Sequence, residues 1–343
     1  MRPAALLIAL ALSPFVLAQA PAVEAPRDPA LRIGALQPKP RTPGAIRLAT
    51  YNIENLFDDR DDLSLSGNQE DVDDTKPAEH QKAVAEAIRR VDADIIALQE
   101  IESYDALIEF REKYLKDLGY LHAHSVDVGA ERGIEQAFLS RFPIIHAETW
   151  PVMPLDGVEP ETIDGRPNDN AGKPMISRRS PLAVTIEVPA EVTKAKPYRL
   201  TLINIHQKSG RGFAFWREAE AQGIIDIYKR LAGDGTNANV AILGDFNATP
   251  DQKSVRLYPK AGLIDAVGSH DPGDPEFISH ASNRDIDHIF VSPGLSKEIV
   301  ETSAFVLATA QLRPEEDWRT APKPKGYASD HLPVVIDVVP VER

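Results

Sequence analysis

An α/β fold of two packed β-sheets flanked by helices is what this sequence predicts, and three observations lead there. Short apolar runs recur along the chain and end in Asn, Glu, His or Asp, the pattern of buried strands that deliver a polar side chain to the rim of a sheet. Stretches with apolar residues at helical spacing interleave with those runs. The runs also outnumber the strands of a simple parallel α/β unit, so a second sheet is needed to bury them.

The strands are expected at 46–51, 94–98, 137–140, 182–188, 199–205, 239–243, 286–291 and 333–339. One helix is expected over 78–91, with Val84, Ile88 and Val91 on one face. A second is expected over 214–232, with Phe215, Ile224, Ile227, Tyr228 and Leu231, and Gly233 closing it. Two long loops stand apart. Residues 58–74 hold eight carboxylates and one Arg; a solvated acidic loop is the reading, with a structural Ca²⁺ site as the alternative, since the spacing does not follow the EF-hand order. Residues 154–174 are rich in Pro, Gly and Asp and read as a lid or an insertion.

Residues 1–20, MRPAALLIALALSPFVLAQA, carry one Arg, a short apolar stretch broken by Ser13-Pro14, and a small-residue cleavage pattern. This reads as a signal peptide rather than a membrane anchor, and implies export to the periplasm or beyond. Residues 21–45, rich in Pro and Ala, read as an exposed leader, and 46–341 as one domain without internal linker or repeat. The chain has no cysteine, so neither a disulfide nor a lipidated Cys is available to it.

Of 343 residues, 43% are hydrophobic and 26% charged, an ordinary globular balance. The net charge of −14 argues against a protein that tracks a polyanion by bulk attraction. A nuclease remains compatible with it, because a metal ion and a few local cations can hold one phosphate. No stable protein partner and no membrane anchor are implied, and oligomeric state is not legible.

Five polar clusters ride on the apolar runs: TYNIEN (50–55), ALQEIES (97–103), NIHQKS (204–209), GDFNATPD (244–251) and SDHLPVV (329–335). Their donors are rich in oxygen and free of sulfur, which suits a hard cation such as Mg²⁺ or Mn²⁺. A phosphoester is already anionic and gains charge on attack, so its hydrolysis needs a cation, an oriented water and a proton route to the leaving oxygen. Glu100, Asn52 and Asp330 are the candidate metal ligands. Asp245 is the candidate to orient or deprotonate water, with the Asn247 amide on a phosphate oxygen. His331, oriented by Asp287, and His206 are candidate acid/base or phosphate groups. Arg179 and Lys208 are candidate phosphate contacts.

Together these motifs resemble the endonuclease/exonuclease/phosphatase superfamily of deoxyribonuclease I-like phosphoesterases, in the same order across residues 46–339. The resemblance implies a four-layer α/β/β/α sandwich with two central mixed β-sheets and the site at one end of them. It implies metal binding at Asn52 and Glu100 with Asp330 nearby, and catalytic roles for His206, Asp245, Asn247, Asp287 and His331. Arg179 matches an Arg preceding a Pro-containing strand in such members. TYNIENLFD is similar to secreted bacterial nucleases of the superfamily. Nucleic acid is therefore the expected substrate. The alternatives are a phosphatase or small phosphodiesterase, sphingomyelinase-like ones included, and a noncatalytic binding module on the same scaffold.

Overall fold

Residues 28–341, except 61–73, 131, 234–237, 269, 272 and 318, are described by the computed structural model of the chain. The signal-peptide reading and most of the acidic loop, with its Ca²⁺ alternative, fall outside the described residues.

In chain order the first strands are β1 (Ile46–Leu56), β2 (Ile95–Ile101), β3 (His122–Ser125), β4 (Glu135–Ser140), β5 (Ile144–Thr149), β6 (Pro154–Val158), β7 (Thr162–Ile163) and β8 (Arg166–Pro167). They are followed by β9 (Pro174–Ile176), β10 (Leu182–Val188), β11 (Tyr198–His206), β12 (Val240–Asp245), β13 (Ile264–Asp265), β14 (Asp287–Val291), β15 (Phe305–Val306) and β16 (Val334–Val338). The helices are α1 (Ala78–Val91), α2 (Tyr104–Tyr114), α3 (Ala190–Thr193), α4 (Ala214–Ala232), α5 (Lys253–Lys260) and α6 (Pro293–Ser296).

Two six-stranded mixed sheets form, in the orders β15-β16-β1-β2-β4-β3 and β13-β14-β12-β11-β10-β5. The expected layering follows from alternation along each strand. Leu48, Ile95 and Phe138 of the first sheet share one core with Val184, Leu202 and Leu243 of the second. The intervening residues Ala49, Ile96 and Leu98 turn the other way, onto Val84, Ile88 and Val91 of α1 and Leu107 and Phe110 of α2. Likewise Ile203, Ile205 and Ile242 pack on Trp216, Ile224 and Ile227 of α4 and Tyr258 of α5. With both faces of each sheet buried, the central strands read as nearly unbroken apolar runs.

Three expectations change. Residues 28–45 are not an exposed leader: Ile33 lies in the inter-sheet core, and Ala35 bridges Leu307. A Cβ on Gly34 would stand 2.8 Å from the Ala308 nitrogen, so that backbone is seated against the domain. Pro and Ala composition does not show this, because a single buried Ile supplies the anchor. Residues 154–174 are neither a free lid nor a bare loop. They carry the two small ladders β6–β9 and β7–β8, pinned by Met153, Leu155 and Met175 in the core beneath α4. Finally, α2 is a third long helix, capped by the Ser103 side chain accepting from Ala106 N–H.

Candidate active site

The site lies where the two sheets present the C-terminal ends of β1, β2, β11 and β12. In the second sheet, register alone aligns three candidates: His206 pairs with Asp245 on the parallel neighbour, and Asp245 pairs with Asp287 across the antiparallel one. In the first sheet, Asn52 is opposite Gln99, and the ladder then slips, so that Glu100 sits in a bulge between Gln99 and Ile101. A bulge re-aims its side chain toward the rim. Glu100 also has a φ of 66°, and Glu54, Asn55 and Asn247 are left-handed as well. Such non-glycine strain persists where surrounding contacts over-determine the backbone, and it concentrates at this rim. Gly244, with φ 144°, lets β12 reach it: a Cβ there would lie 2.0 Å from the Ile205 carbonyl oxygen.

These placements bring the side chains together. Asn52 Nδ2 donates to Glu100 Oε1 at 3.3 Å and to Asp245 Oδ2 at 3.2 Å. His206 Nε2 lies 3.4 Å from Asp245 Oδ2 and 3.7 Å from Glu100 Oε1. Asn247 Nδ2 donates to Asp245 Oδ2 at 3.0 Å, and its backbone N–H to Asp245 Oδ1 at 2.8 Å. His331 Nε2 stands 3.6 Å from Asp245 Oδ2, while its Nδ1 meets Asp287 Oδ2 at 2.8 Å. Ser279 Oγ donates to that same Asp287 oxygen at 2.7 Å.

Asp330 stands apart from the position expected of it. The turn that sends His331 inward leaves Asp330 facing the mouth, 39% exposed, with Oδ2 3.3 Å from His280 Nε2 and Oδ1 4.0 Å from His331 Nε2. It stays next to Asn52 through Ser329, whose Oγ donates to the Asn52 carbonyl at 2.8 Å. Asp330 therefore edges the Asn52–Glu100 pair. Arg179 is buried, donating Nη1 to the Gln207 carbonyl at 3.0 Å. Lys208 Nζ lies 4.1 Å over the Phe213 ring.

Electrostatics separate the two histidines. Burial, seconded by the charges of Arg179 and Arg132, holds His206 well below the usual imidazole range, so its ring is neutral. Burial also disfavours a charged His331, yet Asp287 and Asp245 outweigh it and raise that ring well above the usual value. Burial pushes Asp245 up to about 6 against the pull of His331. For Asp330 the partial desolvation at the mouth is overcome by the hydrogen bond and charge of His280, which hold the carboxyl well below its ordinary value.

The donor set fits a hard divalent cation. Glu100 Oε1 and Asp245 Oδ2 converge from two sheets on one buried point, with the Asn52 amide and the neutral His206 imidazole between them, Arg132 beside Glu100 and His331 beside Asp245. Converging buried carboxylates call for a counter-cation, and an O/N set without sulfur suits Mg²⁺-like ions.

Sequence reading missed several neighbours. Arg132 Nη1 is 3.7 Å from Glu100 Oε1. Lys76 is buried, its Nζ donating to the Glu54 carbonyl at 2.9 Å. Glu54, pushed up to about 7 chiefly by burial and by Asp330, accepts from the Tyr327 hydroxyl at 2.6 Å. Glu54 falls inside the TYNIEN cluster without being singled out there, and Arg132 and Lys76 fall in none of the clusters. Arg217 and Glu220 did carry a signal: both are charges on the buried face of α4.

The Endonuclease/Exonuclease/phosphatase family pattern matches residues 49–331, from β1 to His331. The chain belongs to that family. Its members are metal-dependent phosphoester hydrolases, and the chain is an enzyme of this class. Among solved structures it is similar to the catalytic domain of human Nocturnin with bound sulfate, at 17% identity and TM-score 0.52, covering 87% of this chain and 95% of that one. It is also similar to a family protein from Bacteroides thetaiotaomicron, at 19% identity and TM-score 0.51, covering 86% and 97%. A third likeness is to a family protein from Beutenbergia cavernae, at 18% identity and TM-score 0.51, covering 86% and 71%. At these identities the likeness speaks to fold. No curated protein matches by sequence.

Proposed function

We propose that this family member is an exported, Mg²⁺- or Mn²⁺-dependent nuclease that hydrolyses phosphodiester bonds of DNA, with RNA as the second polymer to be tested. The observation that carries the chemistry is the convergence of Glu100, Asn52, Asp245, His206 and the His331–Asp287 pair on one point. A polymeric substrate is supported by cations on several sides of an otherwise acidic chain: Arg132 beside Glu100, Lys208 after His206, and Lys323 beside Glu54. Export rests on residues 1–20.

Glu100 and Asn52, with Asp330 at the edge, would hold a divalent cation, whose charge would offset the negative charge growing on the nonbridging oxygens. Asp245 orients the attacking water and accepts its proton as the oxygen closes on phosphorus. The Arg179 guanidinium holds phosphate oxygens, and the Asn247 amide joins it by exchanging its bond to Asp245 for one to phosphate while keeping the Gln207 carbonyl. His331, protonated and oriented by Asp287, donates the proton that the leaving oxygen requires. His206, neutral, keeps Asp245 aligned through Nε2 and contacts the phosphate. Attack is direct, without a covalent enzyme intermediate.

Supercoiled plasmid, RNA, nucleotide monophosphates and sphingomyelin, each with and without EDTA, test the proposal. Nicking or degradation of plasmid that EDTA abolishes and Mn²⁺ restores is the expected result. Hydrolysis confined to nucleotides or lipid would replace the nuclease reading with a small-phosphoester one. No hydrolysis of any substrate would overturn both.

A further inference from the structure

One turn of α4 grips the loop that follows His206. Glu220, 1% exposed, accepts the Lys208 backbone N–H at 2.8 Å, and the Arg178 backbone N–H bonds to the same carboxylate. Arg217, 4% exposed, donates Nη1 to the carbonyls of Lys208 at 3.0 Å and Gly210 at 2.9 Å. Its own carbonyl accepts from the Gln207 side chain at 3.1 Å. A buried carboxyl group and a buried guanidinium are thus spent on the backbone of Lys208 and Gly210 and on the residue before Arg179. Charged groups are seldom so placed merely to stabilise a fold, because apolar side chains of similar size serve at least as well there.

What the loop carries explains the placement. The Gln207 carbonyl accepts from both Arg179 Nη1 and Asn247 Nδ2, each at 3.0 Å. One carbonyl oxygen therefore aims the two side chains read above as phosphate contacts, and α4 fixes that carbonyl from the far side.

We infer that Arg217 and Glu220 are positioning residues: acting through the Gln207–Gly210 backbone, they set the directions of Arg179 and Asn247 toward the scissile phosphate. The inference rests on the phosphate roles proposed for those two residues. It separates the site into a metal side, built by Asn52 and Glu100 on the first sheet, and a phosphate side, braced by α4 on the second. Glu220→Gln has one acceptor oxygen for two N–H donors, so it releases half of the grip without changing shape. Arg217→Met keeps the apolar stem and removes both backbone bonds.

The test is a mutant cycle on plasmid nicking, with Mn²⁺ affinity measured by calorimetry and folding by circular dichroism. Arg217→Met and Glu220→Gln are each expected to lower kcat by about 10- to 100-fold, as misplacement of contact groups does, with Mn²⁺ affinity unchanged. Arg217→Lys, which keeps a donor, recovers part of the loss. In an Arg179→Ala/Asn247→Ala background, either α4 substitution should cost less than about threefold more, because the groups it positions are gone.

Undiminished activity in folded Arg217→Met and Glu220→Gln, or full additivity with the double background, would overturn the inference while leaving the phosphate roles standing. Equal loss of Mn²⁺ affinity would reduce the pair to general scaffolding. If Arg179→Ala/Asn247→Ala itself retains full turnover, the phosphate roles fall and the positioning with them. Should Arg217→Met not fold, the shape-preserving Glu220→Gln carries the test.

Discussion

Gln99 and Asn204 meet amide to amide across the two sheets, Gln99 Nε2 donating to Asn204 Oδ1 at 2.7 Å within a core where neither has any exposed surface. Gln99 precedes Glu100, and Asn204 lies two residues before His206 on the same strand. Asn204 Nδ2 also donates to the Leu98 and Ala137 carbonyls, at 2.8 and 3.0 Å. The two halves of the site are thereby registered from directly below. Replacing Asn204 by Leu removes three bonds at once and leaves Gln99 Nε2 with the Thr50 hydroxyl as its main partner. We expect a loss of about 3 kcal/mol in urea unfolding, and undiminished stability would show the bridge to be dispensable.

Gly244→Ala should be worse tolerated than its size suggests. The added methyl would overlap the Ile205 carbonyl of the adjacent parallel strand and would hold Ala at φ 144°. The expected cost is about 4 kcal/mol or more, read from the denaturant midpoint. Any variant that still folds should place Asp245 badly and turn over slowly.

Asp245→Ala and His331→Ala address the chemistry. Asp245 touches Asn52, His206 and Asn247 at once, and His331 holds the raised proton affinity that Asp287 gives it. Each substitution is expected to lower kcat by about a thousandfold while circular dichroism stays native. Plasmid nicking at wild-type rate in either folded variant would remove the role assigned to that residue.

Glu220 predicts a pH signature in stability. Burial raises its folded pKa to about 7, against roughly 4.3 in an unfolded chain. Between those values the folded state binds the proton and the unfolded state does not, so stability falls as pH rises through this window and levels off above it. The loss across the whole window amounts to about 4 kcal/mol at 1.36 kcal/mol per unit. Glu220→Gln lacks this titration. Urea melts at about pH 5 and about pH 8 should show the variant gaining on the wild type by that order; a constant gap would mean that Glu220 titrates normally.

Legibility in the sequence followed burial. β10 is observed at its expected bounds, and β11 and β12 within two residues of theirs, since runs such as LTLINI have both faces buried and stand out by composition. β3 and β5 were not marked, because each is an edge strand whose side chains are mostly only partly buried. The metal and water candidates were readable because each lies at the polar end of an apolar run or just before one. Arg132, Lys76 and Glu54 were not, since they reach the site from loops and a bulge whose course depends on contacts distant in sequence. Asp330 was marked as a candidate metal ligand, but its turn toward His280 was not readable.

Alternation of apolar runs with helical periods, read without coordinates, was enough for a two-sheet α/β domain and for an oxygen-rich set of residues suited to a hard cation. Those follow from local preferences and from which residues must leave water. Which carboxylate faces which imidazole, that one histidine is held above and the other below the usual imidazole range, and that α4 grips the loop after His206 were decided only when the two sheets closed on each other. Distances of 3 to 4 Å between residues 48 to 193 positions apart, such as Asn52 to Glu100 and to Asp245, arise from sheet register and inter-sheet packing, and no single segment encodes them.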